Sequence, residues 1–289
     1  MSAGEKTLDK ASIRATILES DTARKVRRVG RGLPLILASL PMLLFYLLPL
    51  VALVLRVSPA DLLSNLVDPQ VAQAIQVSMT TTLIATGVTF AFGTPLAYLL
   101  ARRRFPGRSV VDTLVDLPLL LPPAVAGVAL LVTFGRRGLL GPYLTDAGIT
   151  IAFTQIAVIM AEIFVASPFF VKSAISAFAA VDRELERAAA VDGATPLRAF
   201  LSVTVPLSIS ALFGGLVMTW ARALGEFGAT IIFAGNFPGR TQTMPLAIYI
   251  GFEIDLNVAL TLSAILLAIA FAALLLVKAA LRQRVEVVL

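Results

Sequence analysis

The chain has 289 residues, 58% of them hydrophobic and 15% charged, with a mean hydropathy of +0.89 and a formal net charge of +6. A soluble domain carries about 25% charged residues, so the composition is that of an integral membrane protein. The positive surplus fits basic loops on the cytoplasmic side, and no RNP-like motif, zinc finger or aromatic-studded basic patch points to nucleic acid. Cysteine and histidine are both absent, which excludes disulfides, thiolate or imidazole metal sites and Ser-His or Cys-His nucleophile pairs.

Residues 1–31 read as a polar cytoplasmic tail, with helical composition from Ala11 to Arg28. The apolar run that follows is too long and begins too late for the h-region of a cleavable signal peptide. Six segments then meet the requirement of roughly 20 apolar residues per crossing: 33–55, 71–101, 112–134, 151–176, 207–233 and 257–278. Each is expected to be a helix, because a lone segment in lipid must satisfy its own backbone hydrogen bonds. With the N-terminus inside, eighteen basic residues fall on inside stretches and four (Arg56, Arg136, Arg137 and Arg240) on outside loops. Both termini are therefore expected in the cytoplasm. The expected architecture is all-α, with a transmembrane domain over 32–289.

Between the fourth and fifth spans the sequence RELERAAAVDGATPLRAFLSVTVP (183–206) breaks the apolar pattern. Glu184–Asp192 has helix-forming composition, and Gly193 offers a positive-φ position to end that helix. Thr195-Pro196 restarts it as a hydroxyl N-cap with proline at the first helical position. Leu197, Phe200 and Leu201 are expected to form a second short apolar face, and Pro206 to close the element. The predicted unit is a helix–turn–helix elbow facing the cytoplasm; an amphipathic loop lying on the lipid surface is the competing reading.

Charges also fall in or near the spans: Glu162, Lys172, Arg222 and Glu226. Arg222 and Glu226 are four apart and can meet on one helix face. They read either as a gate or part of an anion path, or as a bundle-facing pair that holds its helix in register. Lys172, close to the cytoplasmic end, reads as a snorkelling side chain. After the fifth span, Arg240, Thr241, Gln242 and Thr243 offer a cation and neutral donors on the outer side, suited to passing a tetrahedral anion or to a solvated turn. The hydroxyls of Ser78, Thr80, Thr81 and Thr82 either line a path or bond back to their own helix.

The 183–206 loop resembles the cytoplasmic signature of ABC importer permeases, Glu-Ala-Ala, three residues, Gly, nine residues, Ile-x-Leu-Pro. Ala188, Ala189, Gly193, Val203 and Pro206 keep that spacing, whereas Arg187 occupies the signature Glu position with Glu186 one residue earlier, and Val205 replaces Leu. FGTPLAYLLARR (92–103), DLPLLLPPAVAGVALLVTFGRRGLLG (116–141) and ARALGEFGATIIFAGNFPGRTQTMPLAIY (221–249) are similar to molybdate and sulfate permeases, most of all the molybdate subgroup. The resemblance implies a type I importer permease of six helices with a coupling loop over 182–206. Glu186, Arg187, Ala188, Ala189, Gly193 and Pro206 would contact the motor. It implies a homodimer of this chain, two ATP-binding cassette subunits and an extracytoplasmic oxyanion-binding protein. ATP and magnesium would sit on the partner, with no cofactor, metal or nucleic acid on this chain. No G-x-x-x-x-G-K-[ST] loop occurs in the sequence, so a permease subunit and not an enzyme is expected. Sulfate, thiosulfate or tungstate are alternative cargoes. An ion-coupled secondary transporter is the alternative of another class.

Overall fold

The computed structural model describes residues 35–287; the expected tail over 1–31 and its helix lie outside the described residues. The chain divides into two compact units, one ending at Arg56 and one beginning at Val57. The first contains α1 (Leu35–Arg56), apolar along its whole length and about 33 Å long at 1.5 Å per residue, enough to cross the hydrocarbon.

The second unit begins with α2 (Pro59–Leu66) and α3 (Pro69–Arg102). Asp68 caps α3, its Oδ1 accepting the amides of Gln70 at 2.7 Å and Val71 at 3.3 Å, with Pro69 at the first helical position. At 34 residues, or roughly 51 Å, α3 is longer than the hydrocarbon is thick and carries its cytoplasmic end, Arg102, clear of the core.

The expected third span over 112–134 is not one straight helix. It is α4 (Arg108–Leu120) and α5 (Pro123–Phe134), bent by 117°. Leu121 and Pro122 are extended (ψ 133° at both). Pro122 and Pro123 are the cause: each forbids a helical conformation to the residue before it and removes a backbone donor.

After α6 (Gly141–Asp146), α7 (Gln155–Ala180) is the central helix. It starts and ends about four residues later than the expected 151–176. Next come α8 (Arg183–Val191) and α9 (Pro196–Ala199), a π-helical turn over Phe200–Thr204, and α10 (Val205–Leu224). Pro206 therefore does not close the elbow. Residues from Pro196 to Leu224 form one 29-residue helix. The wide turn, in which the Val205 amide reaches back to the Phe200 carbonyl, brings the chain to Pro206 without a break. The expected fifth span, 207–233, is interrupted at Gly225–Phe227 before α11 (Gly228–Phe233). Finally, α12 (Met244–Ile254) leads into α13 (Leu256–Val287).

Small residues let α7 lie close to its neighbours. Ala157, Ala161 and Ala174 are fully buried; Ala157 and Ala161 pack with Ala126 and Leu130 of α5 and Ala229 and Phe233 of α11, and Ala174 with Phe170, Phe178 and Ala97 of α3. A Cβ on Gly215 of α10 would stand 2.8 Å from the Ser173 Cβ of α7. In lipid there is no hydrophobic drive between helices, so such close packing and interhelical hydrogen bonds must hold them. Ser173 Oγ donates to the Ala211 carbonyl (2.9 Å), Trp220 Nε1 to Thr82 Oγ1 (3.0 Å), the Met244 amide to Ser78 Oγ (2.7 Å) and Asn65 Nδ2 to Thr261 Oγ1 (2.8 Å). Gly215→Val is expected to force α7 and α10 apart at a cost of about 1–3 kcal/mol. A lowered thermal midpoint of the purified protein measures this; an unchanged midpoint would show that the contact is slack.

Candidate functional site

The elbow is built as the residues require. Asp182 caps α8 by accepting the Glu184 amide (2.9 Å), and Gly193 turns the chain at φ +87°. Thr195 Oγ1 then accepts the Arg198 amide (3.3 Å), with Pro196 following it. Only Val181 and Asp182 separate α7 from α8, and α9 runs into α10 through the helical π turn alone.

One buried polar cluster fixes the elbow to the bundle. Glu186 Oε1 lies 3.2 Å from the Arg102 guanidinium at the end of α3, with side-chain exposures of 19% and 7%. The same carboxylate accepts the hydroxyl of Thr204, which is buried in the π turn. Arg102 also donates to the Val181 carbonyl (2.9 Å), and Arg183 donates to the Arg102 carbonyl (3.4 Å). Below this cluster Tyr98, Phe178 and Phe200 stack edge to face, with centroids 4.7–5.8 Å apart, joining α3, α7 and the π turn. Glu186 is thus the acid that works inside the protein. Arg187, at the signature position, points outward and pairs with Glu184 on its own helix.

The outer face of the elbow is apolar. Leu185 is 47% exposed, Val191 87%, Leu197 66% and Leu201 57%; Ala188 is exposed and Ala189 half-buried. The expected second apolar face therefore splits: Phe200 packs inward while Leu197 and Leu201 stay out. Four large apolar side chains on a stretch of 17 residues form the kind of exposed patch that marks an interaction surface.

The in-membrane charges resolve differently from one another. Lys172 does not snorkel; it bridges Asp112 and Asp116 of α4, each at 2.8 Å, and so pins the bent pair to α7. Arg222 meets Glu226 at 2.9 Å, and the other Glu226 oxygen accepts the Ala229 amide (2.9 Å) in the first turn of α11. That carboxylate is 2% exposed and both its oxygens are engaged. Glu162 is also buried; its Oε1 accepts Thr81 Oγ1 (2.8 Å), while Oε2 has no partner among the described residues. The Val77 carbonyl, 2.9 Å from Thr81 Oγ1, competes with Glu162 for that single proton, and Thr82 donates to the Ser78 carbonyl at 2.6 Å.

The set from Arg240 to Thr243 is divided. Thr241, Gln242 and Thr243 are buried, with Thr241 Oγ1 accepting the Phe237 amide (3.1 Å) and so closing the 237–241 turn. Arg240 alone of the four is exposed, and it lines a cavity of about 380 Å³ with Arg136, Thr150 and Phe237. Of the neutral groups expected beside Arg240, Thr241 closes the loop and Gln242 and Thr243 are buried.

With this geometry described, residues 93–287 match the family described as binding-protein-dependent transport system inner membrane component. The chain belongs to that family. It is an ABC importer permease of the inner membrane. It is 41% identical to the molybdenum transport system permease protein ModB of Mycobacterium tuberculosis, over 79% of this chain and 86% of that protein. It is 36% identical to the sulfate transport system permease protein CysT of Salmonella typhimurium, over 84% of this chain and 90% of that protein. The fold matches a chain of a bacterial ABC transporter involved in the import of alginate, with a TM-score of 0.65 at 17% identity, covering 88% of this chain and 98% of that one.

The residues that sequence reasoning missed in this permease are long-range partners. Arg102 and Thr204 of the elbow anchor, and Asp112 and Asp116 of the Lys172 pair, lie 18 to 84 positions from the groups they hold. The one available signal was charge economy, since a base at the end of a span and an acid at an inner loop each need a partner. Removing Glu186 with Glu186→Ala should cost the elbow about 1.5–3 kcal/mol. Amide exchange across 183–199 should then rise by roughly ten- to hundredfold. Unchanged exchange would show that other contacts hold it.

Proposed function

We propose that this chain is the membrane-spanning subunit of an ATP-driven importer for molybdate, or a closely related tetrahedral oxyanion, working by alternating access. The observation that carries the cargo assignment is the higher identity to ModB, 41% against 36% for CysT. The functional unit is a homodimer of this chain with two ATP-binding cassette subunits and an extracytoplasmic oxyanion-binding protein. ATP and magnesium act on the partner subunits.

In this reading the elbow, residues 182–206, is the handle that the ATPase grips. Its exposed Leu185, Val191, Leu197 and Leu201 enter an apolar groove on the partner, with Ala188 and Ala189 allowing close approach. The lever is the 29-residue helix from Pro196 to Leu224, roughly 44 Å long. A sideways pull at its cytoplasmic end arrives at Arg222, Glu226 and α11 on the far side. The anchor of Glu186 to Arg102 and Thr204 makes the stroke efficient, because a loose loop would absorb it. We assign Arg222 and Glu226 the role of transmitting that motion to α11, since Glu226 is occupied by its two partners and presents no free charge to an anion. Arg240 attracts the anion at the outer mouth, where a long-range positive potential raises its local concentration.

Two outcomes check this reading. In the reconstituted complex, ATPase activity should rise several-fold more with molybdate-loaded binding protein than with sulfate-loaded protein; the reverse order would transfer the assignment to sulfate. Gly193→Val places a β-branched residue at φ +87°, where it is strained. It should lower uptake and stimulated ATPase more than tenfold with membrane insertion intact, while Gly193→Asn, which tolerates that conformation, keeps most activity. Full uptake by Gly193→Val would remove the stiff-handle mechanism.

A further inference from the structure

The elbow has a second face. Arg183, Glu186, Arg187 and Ala190 follow the i, i+3, i+4, i+7 spacing of one helix side. They line a cavity of about 350 Å³ with Arg102, Arg103 and Tyr98 of the α3 end and with Ala194, Pro196 and Ala199. The exposed apolar residue Leu185 projects from the opposite side of the same helix. Four arginines thus border one concavity; Arg187 is paired with Glu184, and the one lining glutamate, Glu186, is already engaged by Arg102 and Thr204.

One donor lies buried behind the cavity wall. The Arg102 side chain is 7% exposed, its terminal nitrogen holds Glu186 and the Val181 carbonyl, and its Nε is buried with no partner among the described residues. Room for roughly ten waters at about 30 Å³ each is ample for a tetrahedral anion with part of its hydration shell. Guanidinium groups, with planar forks of donors, suit the oxygens of such an anion better than ammonium groups do.

We propose that this cavity at the cytoplasmic end of α3 is a binding site for a tetrahedral phosphate-type anion, held by Arg103 and Arg183. The anion is either free in the cytosol or the headgroup phosphate of an acidic phospholipid, because the cavity sits where the basic end of a span meets the inner leaflet. Bound there, it ties α8 to α3 beside the Glu186 anchor and stiffens the elbow. The site stands on this cavity alone and does not require the docking or cargo assignments.

The test uses the full-length permease in nanodiscs of phosphatidylcholine alone, titrated calorimetrically with inorganic phosphate. A second arm uses nanodiscs containing phosphatidylglycerol, with retained lipid counted by native mass spectrometry. Saturable phosphate binding that weakens at least tenfold in the Arg103→Gln, Arg183→Gln double variant assigns a free anion. Retention of phosphatidylglycerol that is lost in the same variant assigns the lipid headgroup. Ala190→Glu, which places a carboxylate on the cavity wall and leaves every arginine present, should abolish either signal and guards against a folding defect in the double variant. No binding in both arms, or binding unchanged in both variants, overturns the proposal.

Discussion

The contact between Glu186 and the pair Arg102 and Thr204 is the constraint on which the cytoplasmic half of this permease depends. It joins three segments far apart in sequence: the end of α3, the first helix of the elbow and the π turn that opens α10. A buried ion pair is a weak source of net stability, because desolvation offsets most of the Coulomb attraction. Its value lies in geometry. The carboxylate has one position that satisfies both a guanidinium and a hydroxyl, so the elbow has one orientation relative to the bundle. The aromatic trio of Tyr98, Phe178 and Phe200 supplies the apolar floor beneath it.

The π turn follows from the same constraint. An α-helical path from Pro196 to Leu224 would meet Pro206 four residues after Ser202, where the missing amide and the ring both disturb the ladder. Widening the turn over Phe200–Thr204 absorbs that disturbance at the point where Thr204 must face Glu186. One local irregularity thereby serves the backbone and the anchor together. It also leaves the elbow and α10 a single body, and that continuity is what lets the proposed lever work.

Most of the helical plan was legible because its signals are local. The apolar run over 71–101 falls within α3, and Gly193 and Thr195-Pro196 mark the turn of the elbow. What stayed hidden was decided by partners or by backbone accommodation. Hydropathy averages across Leu121-Pro122-Pro123 and so reports one span where the chain bends by 117°. Pro206 reads as a stop in any local rule, yet the π turn carries the helix through it. Lys172 near a membrane edge looks free until α4 brings Asp112 and Asp116 beside it, each at 2.8 Å. Thr241, Gln242 and Thr243 look like exposed donors because their neighbours are Pro, Gly and Arg, but the loop turns them inward. The shifted acid at Glu186 is a further case, since motif spacing favours position 187 and only the fold shows which side chain reaches Arg102.

Charge placement in the membrane separates the pieces that hold this protein together from those free to act on an anion. Lys172 is matched by Asp112 and Asp116, and Arg222 by Glu226, whose second oxygen caps α11. Those groups are spent on structure, and converting them to gating work would first require breaking pairs in a low dielectric. The arginines that keep donors accessible border two cavities, Arg136 and Arg240 one of them and Arg103 and Arg183 the other. The proposed import of a dianion gives this placement a use. Strong cationic sites within the bilayer would bind the cargo too tightly to release it, whereas cations at the ends draw it in and let neutral groups pass it along. The same economy explains why the inner arginines can accept a second anion without blocking the first, since they lie beside the elbow at the cytoplasmic end of α3, with the paired charges of the spans elsewhere in the bundle.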